Sequence, residues 1–393
     1  MSNKIKIFGH NLQETTVVRV LDTKTKNEVN LPNYCIAFIG KESRNGCKSI
    51  GIALLDEVPK DENFASWISV GDKLGNICVG DVLFVNPYKE YIRILYRNGS
   101  NANTIFLTST CNSNCLMCPQ PPKEKDEVEE EWIHRQLLCT PDEVEELCIT
   151  GGEPTLVPDR LCSVLRDIYN KNPLCHVHVL SNARLCKNVG LVKSIKSIGL
   201  NNLTFGIPLY SATPEIHDYI VQAKDAFDDT VTGIYNLASA GIDVEIRIVL
   251  HKQTIPELKR LTDYIYNKFP FVRHVAFMGM EHMGFVKKNW NELWISPEQY
   301  QDDLYKAIRF LNLRGMYCSI YNLPFCLCQR GLWPFLRNSI SDYKVDFREE
   351  CQCCDMKDDC GGLFHYQRNV MPVIPIRVSG LNPSYRNLKY NQT

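Results

Sequence analysis

From about residue 101 the chain alternates short apolar, β-branched runs with longer amphipathic ones, and this alternation constrains the fold more than any other feature. Strands are expected near 104–107, 147–150, 176–180, 202–208, 244–250 and 274–278. Helices are expected near 158–171, 188–198, 228–240, 256–268 and 297–313. Such alternation predicts parallel βαβ units and an α/β fold. Six strands are too few for a closed eight-stranded barrel. In parallel α/β folds the chemistry gathers at the C-terminal ends of the strands.

Residues 1–100 read differently. They carry β-rich runs at 16–20, 35–39, 82–85 and 91–96, with a hairpin turn expected over 86–90. A small, mostly β domain is expected there. It either grips a partner or peptide or only braces the rest. The organisation is then a β-rich domain over 1–100, an α/β region over 101–313 and a cysteine-rich region over 314–393. The charge run at 123–131 reads as a solvated helix start. The polar tail beyond Pro372 is expected to order only by docking.

The 393 residues are 44% hydrophobic and 23% charged, with a net charge of −1, so no basic footprint argues for nucleic acid. Neither a secretory h-region nor an apolar run of about 18 residues is evident, so a cytoplasmic chain away from membranes is expected. Eighteen cysteines is a high count. In a reducing compartment they read as thiols, not disulfides. The scattered ones (Cys35, Cys47, Cys78, Cys139, Cys148, Cys162, Cys175 and Cys186) are expected to be small buried hydrophobes.

Two cysteine groups are clustered. Cys111, Cys115 and Cys118 have C-x3-C-x2-C spacing within TSTCNSNCLMCPQPP, on the loop after a strand. Thiolates suit iron–sulfur clusters, zinc and Cu(I), and structural zinc takes four protein ligands. Three thiols without a local fourth suggest a [4Fe–4S] cluster with one open iron. One βα unit later come Thr150, Gly151, Gly152, Glu153 and Pro154. The two glycines let the backbone approach a ligand closely and adopt positive φ. The segment also reads as a plain strand-to-helix turn. Ser181 and Asn182 follow the third strand and read either as polar ligand contacts or as a helix cap. Arg247, within VEIRIVL, needs an anionic partner, because an unpaired buried charge is costly.

The cysteine triplet and the GGEP segment together resemble the signature of the radical S-adenosylmethionine (SAM) superfamily. Met117 stands where the family usually has an aromatic residue. The resemblance implies a partial (β/α)6 TIM barrel. It implies that Cys111, Cys115 and Cys118 hold a [4Fe–4S] cluster whose open iron takes the amino and carboxylate groups of SAM. Gly151, Gly152 and Glu153 would serve the SAM amino group, and Ser181 and Asn182 would add polar contacts. Arg247 would meet the SAM carboxylate, with an ion pair to a nearby acid as the rival reading. Within IPLYSATPEIHDYI, Pro208 stands where related maturases place a serine near the ribose, with Tyr210 and Ser211 slightly later. Glu281 and His282, after the last strand, are left unassigned, as is any catalytic acid or base.

The second group is Cys318, Cys326, Cys328, Cys351, Cys353, Cys354 and Cys360. Cys351, Cys354 and Cys360 have C-x2-C-x5-C spacing, resembling the SPASM or twitch region of peptide-modifying radical SAM enzymes. With Cys326 as fourth thiolate, and Cys328 as its substitute, the set implies an auxiliary [4Fe–4S] cluster. A four-thiolate zinc site fits the same ligands. The strings at 96–122 and 283–297 (MGFVKKNWNELWISP) resemble the C-type radical SAM maturase of the His-Xaa-Ser system. The resemblance implies an enzyme that modifies a ribosomally made peptide or small protein, an electron donor, and a second radical SAM protein as partner. The alternatives are a radical SAM enzyme of a small molecule or nucleic acid, and a cluster-bearing partner subunit without turnover.

Overall fold

The computed structural model describes residues 4–22, 31–39, 51–59, 64–338, 345–364, 367 and 370–377. Cys47 and the tail from 378 onward lie outside these residues. The chain divides into two compact units. The first comprises Met1–Leu107, Glu127–Ile149 and Asp159–His176; the second comprises Thr108–Asp126, Thr150–Pro158 and Val177–Thr393.

The first unit holds β1 (Lys4–Lys6), β2 (Gly9–His10), β3 (Thr16–Leu21), β4 (Ile36–Ile39), β5 (Ile52–Leu55), β6 (Trp67–Ser69), β7 (Val82–Asn86) and β8 (Tyr91–Tyr96). They form one eight-stranded sheet in the order β1-β8-β7-β3-β4-β5-β6-β2. The four expected strands are present, and β7 and β8 form the expected antiparallel hairpin. The four additional strands are two to four residues long, too short to show a period of two. Ile5, Val18, Leu54, Ile68 and Leu83 form the core of this sheet. Helix α1 (Glu130–Cys139) starts within the charge run. Its buried positions, Ile133, Gln136, Leu137 and Cys139, recur at helical spacing.

A seven-stranded sheet runs in the order β9 (Thr104–Phe106), β10 (Glu146–Thr150), β11 (His176–Leu180), β12 (Leu203–Pro208), β13 (Asp243–Leu250), β14 (His274–Gly279) and β15 (Cys318–Tyr321). The pairs from β11 to β15 are parallel. This is the expected α/β sheet with one strand more than the alternation showed. β15 is four residues long and carries a cysteine and a serine, so its apolar signal is weak. Helices α2 (Pro158–Lys171), α3 (Val189–Lys196), α5 (Ala226–Ser239), α6 (Leu258–Lys268) and α7 (Gln301–Asn312) fall where expected. A short α4 (Pro214–Val221) precedes α5.

The two faces of the β11–β15 sheet differ in chemistry. Val177, Val179, Phe205, Ile207, Ile246, Ile248, Val275 and Phe277 are each fully buried on one face. Each such side chain contributes about 1.5–3 kcal/mol on leaving water. The alternate positions include His178, Thr204, Gly206, Glu245, Arg247 and His274. Parallel strands are ordinarily apolar on both faces, so the polar face departs from what stability alone requires.

Most scattered cysteines are buried as expected: Cys35, Cys139, Cys162, Cys175 and Cys186. Cys78 is exposed, because its turn is fixed by its backbone N–H donating to Asp81 at 2.9 Å and not by packing of its side chain. Cys148 is half-buried, since it alternates with the buried Leu147 and Ile149 along β10.

Candidate active site around the cysteine loop

The loop carrying Cys111, Cys115 and Cys118 lies in the second unit, and its backbone is held from several sides. The N–H of Gly152 donates to Thr108 O and that of Glu153 to Thr110 O, both at 2.8 Å. A Cβ on Gly151 would stand 2.6 Å from Thr108 O, and one on Gly152 only 2.0 Å from Thr110 O. Neither glycine has a positive φ. The expectation of positive φ is therefore corrected: these positions need glycine because the cysteine loop packs directly on their backbone. Further along, Asn114 and Leu116 donate to Val221 O and Ile220 O at 3.1 and 3.0 Å, and Phe285 N–H donates to Cys118 O at 2.9 Å. Gly284 has φ of 56°, and a Cβ there would stand 2.2 Å from Cys118 O.

Glu153 is the hub beneath the loop. Its carboxylate is 1% exposed. It accepts from the Thr155 N–H at 2.9 Å, the Thr155 hydroxyl at 2.6 Å, the Ser181 hydroxyl at 2.7 Å and the Asn182 N–H at 2.6 Å. Burial pushes this carboxyl above its usual range, against the pull of these donors. The Glu153 side chain thus ties the β10 loop to the β11 loop. Asn182 continues the chain of contacts, its Nδ2 donating to Asn112 Oδ1 at 2.7 Å and lying 4.0 Å from the Cys111 sulfur. Arg184 donates to Asn112 O at 2.6 Å and to Asp229 at 3.2 Å. Thr155, Asn112 and Arg184 escaped the sequence reading. Only the fold brings them to the loop, so no local pattern marks them.

The three cysteines are half-buried, and apolar side chains cover one side of the loop. Leu116 and Met117 pack with Tyr210, Ile220, Val221, Met280, Val286 and Leu293, with Cys115 against the same cluster. Tyr210 is 6% exposed and stacks on His217 at 5.9 Å. Burial, with the neighbouring Glu153 and Cys118 charges, pushes the Cys111 thiol up to about 12. Burial likewise raises Cys115, where Cys118 and Cys111 add to the effect, and Cys118. The three thiols sense one another, and a bound cation is what would draw off their protons. That is the chemistry of a thiolate metal site, and the donor set fits an iron–sulfur cluster. No group of three or more His, Cys, Asp or Glu side chains among the described residues is arranged around a single metal ion.

Arg247, on β13, pairs with Glu245 through Nη1 at 2.8 Å and points Nη2 at the Met278 sulfur at 3.1 Å. The ion-pair reading is thus realised, with part of the guanidinium left over. Ser211 is committed to Glu257 at 2.7 Å. His282 lies edge-on to Trp290, which stacks on Trp294.

The C-terminal thiols come together as well. Cys326, Cys351, Cys354 and Cys360 line one cavity with Phe325, Phe347, Met356, Leu363 and Ile374. Two backbone N–H groups are aimed at their sulfurs: Ile376 to Cys354 and Gly362 to Cys360, both at 3.4 Å. Such donors stabilise thiolate ligands. Cys328 and Cys318 are buried, and Cys353 is exposed.

The comparisons with known proteins bear on this arrangement. Residues 105–265 match the family described as the radical SAM superfamily. Molybdenum cofactor biosynthesis protein 1 of Homo sapiens is 22% identical over 62% of this chain and 40% of its own length. GTP 3′,8-cyclase of Haemophilus influenzae is 24% identical over 58% of this chain and 65% of its own length. The chain therefore spans about two fifths of the human relative and about two thirds of the bacterial one. Among solved structures, Streptococcus suis SuiB bound to S-adenosylmethionine aligns at 13% identity with a TM-score of 0.45, over 55% of this chain and 49% of that one. No helix among the described residues is long and apolar enough to cross a membrane.

Proposed function

We propose that this chain, whose residues 105–265 match the radical SAM superfamily, is an enzyme that cleaves S-adenosylmethionine reductively and modifies a ribosomally made peptide. One observation carries the reading: Cys111, Cys115 and Cys118 occupy a single half-buried loop pinned by Gly152 and Glu153 and packed on an apolar cluster. The family implies SAM and a [4Fe–4S] cluster, and this loop has the thiols to hold the cluster. When bound, the cluster and SAM would supply one-electron reductive cleavage of a carbon–sulfur bond, the electron coming from an external donor, and with it the means to take a hydrogen atom from the substrate.

The chain's own residues hold, orient and exclude water. Cys111, Cys115 and Cys118 are the cluster ligands. Gly151, Gly152, Glu153, Ser181 and Asn182 form the shelf beside them and position SAM, Glu153 acting by fixing the shelf. Arg247 takes the SAM carboxylate. Leu116, Met117 and Tyr210 keep the site dry, which strengthens every charge interaction within it. Cys326, Cys351, Cys354 and Cys360 hold an auxiliary metal centre, either a second [4Fe–4S] cluster or zinc.

The peptide assignment rests on that four-thiol cavity and on the resemblance of 96–122 and 283–297 to the His-Xaa-Ser maturase, with an electron donor and a second radical SAM protein as partners. Anaerobic incubation with SAM, reductant and a His-Xaa-Ser repeat peptide tests it. A SAM-dependent mass change in the peptide supports the reading. A second reading, a small-molecule substrate, is favoured by the likeness to GTP 3′,8-cyclase. It takes precedence if the peptide is unchanged and a nucleotide is consumed instead.

A further inference from the structure

The polar face of the β11–β15 sheet carries one buried carboxylate with three basic neighbours. Glu245 is 8% exposed. Its Oε1 accepts from Arg247 Nη1 at 2.8 Å, its Oε2 lies 2.7 Å from His274 Nδ1, and His178 Nε2 stands 3.6 Å from Oε1. His178 and Glu245 sit on β11 and β13, with β12 between them. They meet because the intervening residue is Gly206, where a Cβ would stand 2.6 Å from His178 Nε2 and 3.1 Å from Arg247 Cδ. The glycine is thus a requirement of the charge cluster.

Arg247 is held by this cluster without being used up by it. A guanidinium has five N–H donors. Among the described residues, those of Arg247 meet only Glu245 and the Met278 sulfur, and a thioether is a weak acceptor. The residue two positions on along the same face, Val249, packs against the cluster that contains Leu116 and Met117. Two residues of strand span about 6.6 Å, within the reach of an arginine side chain. Met278, which Nη2 meets, pairs in register with Val249, so this edge of the guanidinium lies at the level of the residue that packs on the Leu116 and Met117 cluster. A carboxylate takes two parallel N–H bonds from such an edge. Arg247 is the permanent cation of this cluster, and its remaining N–H donors are what a second carboxylate would meet.

We propose that Glu245, backed by His178 and His274, is a positioning residue that fixes the Arg247 guanidinium to receive the carboxylate of S-adenosylmethionine. This rests on the radical SAM reading above. Freed from Glu245, the arginine would sample several rotamers and lose the preorganisation that makes a bidentate contact selective.

The test measures equilibrium dissociation constants of the cluster-loaded protein for SAM and for decarboxylated SAM. The wild type should prefer SAM. Glu245→Gln should weaken SAM about tenfold to a hundredfold, the range of one charge-assisted hydrogen bond, and leave decarboxylated SAM unchanged. Glu245→Asp should recover part of the loss. Gly206→Ala, whose Cβ would press on His178 Nε2, Leu180 Cδ2 and Arg247 Cδ, should act in the same direction. The proposal is overturned if Glu245→Gln, with a wild-type circular dichroism spectrum, binds SAM as the wild type does. It is equally overturned if affinity for both ligands falls in parallel. Failure of the wild type itself to bind SAM would instead sink the radical SAM reading on which the proposal stands.

Discussion

Replacing Gly152 by alanine should separate the cysteine loop from its support. The added Cβ would stand 2.0 Å from Thr110 O, 2.5 Å from Thr110 C and 3.1 Å from Cys111 N. Ordinary contact begins at 3.4 Å, so the shortfall against the oxygen is about 1.4 Å. The obstructing atoms are backbone, which cannot rotate away as a side-chain tip can. The strain must go into moving the Cys111 segment or breaking the hydrogen bonds from Gly152 and Glu153 to Thr108 and Thr110. Overpacking of this kind costs about 1–3 kcal/mol, which lowers Tm by roughly 2–4 °C per kcal/mol in a domain of this size. Catalysis should suffer more, because a displacement of about 1 Å in a reacting geometry costs about a hundredfold in rate. Thermal unfolding of the metal-free protein, iron content after reconstitution and the initial rate of 5′-deoxyadenosine formation form the assay. A Gly152→Ala protein that loads iron and turns over like the wild type would refute the close-approach argument.

Glu245 predicts an acid dependence. Burial alone would raise its carboxyl, but His274, Arg247 and His178 hold it down at about 2. Its contribution is therefore present above its ordinary pKa of about 4.3 and lost as pH falls through about 2, a difference of about 3 kcal/mol. Urea melts of wild type and Glu245→Gln should differ near neutrality and converge in acid; a pH-independent gap contradicts the assignment. Cys111, pushed up to about 12 in the metal-free protein, should be alkylated by iodoacetamide at pH 8 well after the exposed Cys78 and Cys353, as peptide mapping would show. Its raised pKa contributes stability below its ordinary value of about 8.5 that is lost as pH rises toward 12. Cys360→Ala should abolish the auxiliary metal and spare the iron at Cys111, Cys115 and Cys118, read by metal analysis and electron paramagnetic resonance. Loss of both centres together would argue against two independent sites.

Much of this arrangement was legible in the chain. The strand–helix alternation located six strands of the seven-stranded sheet, because strands buried on one face by Val, Ile and Phe leave a strong apolar signal. It missed β15, whose Cys-Ser-Ile-Tyr sequence is short and mixed, and the two- to four-residue strands of the N-terminal sheet. The clustered cysteines were visible as spacing. Their environment was not, since the Glu153 hub gathers Thr155, Ser181 and Asn182 from two loops. Gly151 and Gly152 were recognised as special for close approach, yet what they approach is the cysteine loop itself. Gly206 could not be read at all. Its role appears only when His178 and Glu245 are brought together from strands about 65 residues apart in sequence.

The most direct measurement is the formation of 5′-deoxyadenosine by the anaerobically reconstituted, reduced protein after addition of SAM, followed by mass spectrometry beside a Cys111→Ala variant. The account predicts a product that requires SAM and reductant and is absent from the variant. A fully iron-loaded wild type that makes none, with candidate peptide and partner protein present, or a Cys111→Ala variant that makes as much, would contradict it.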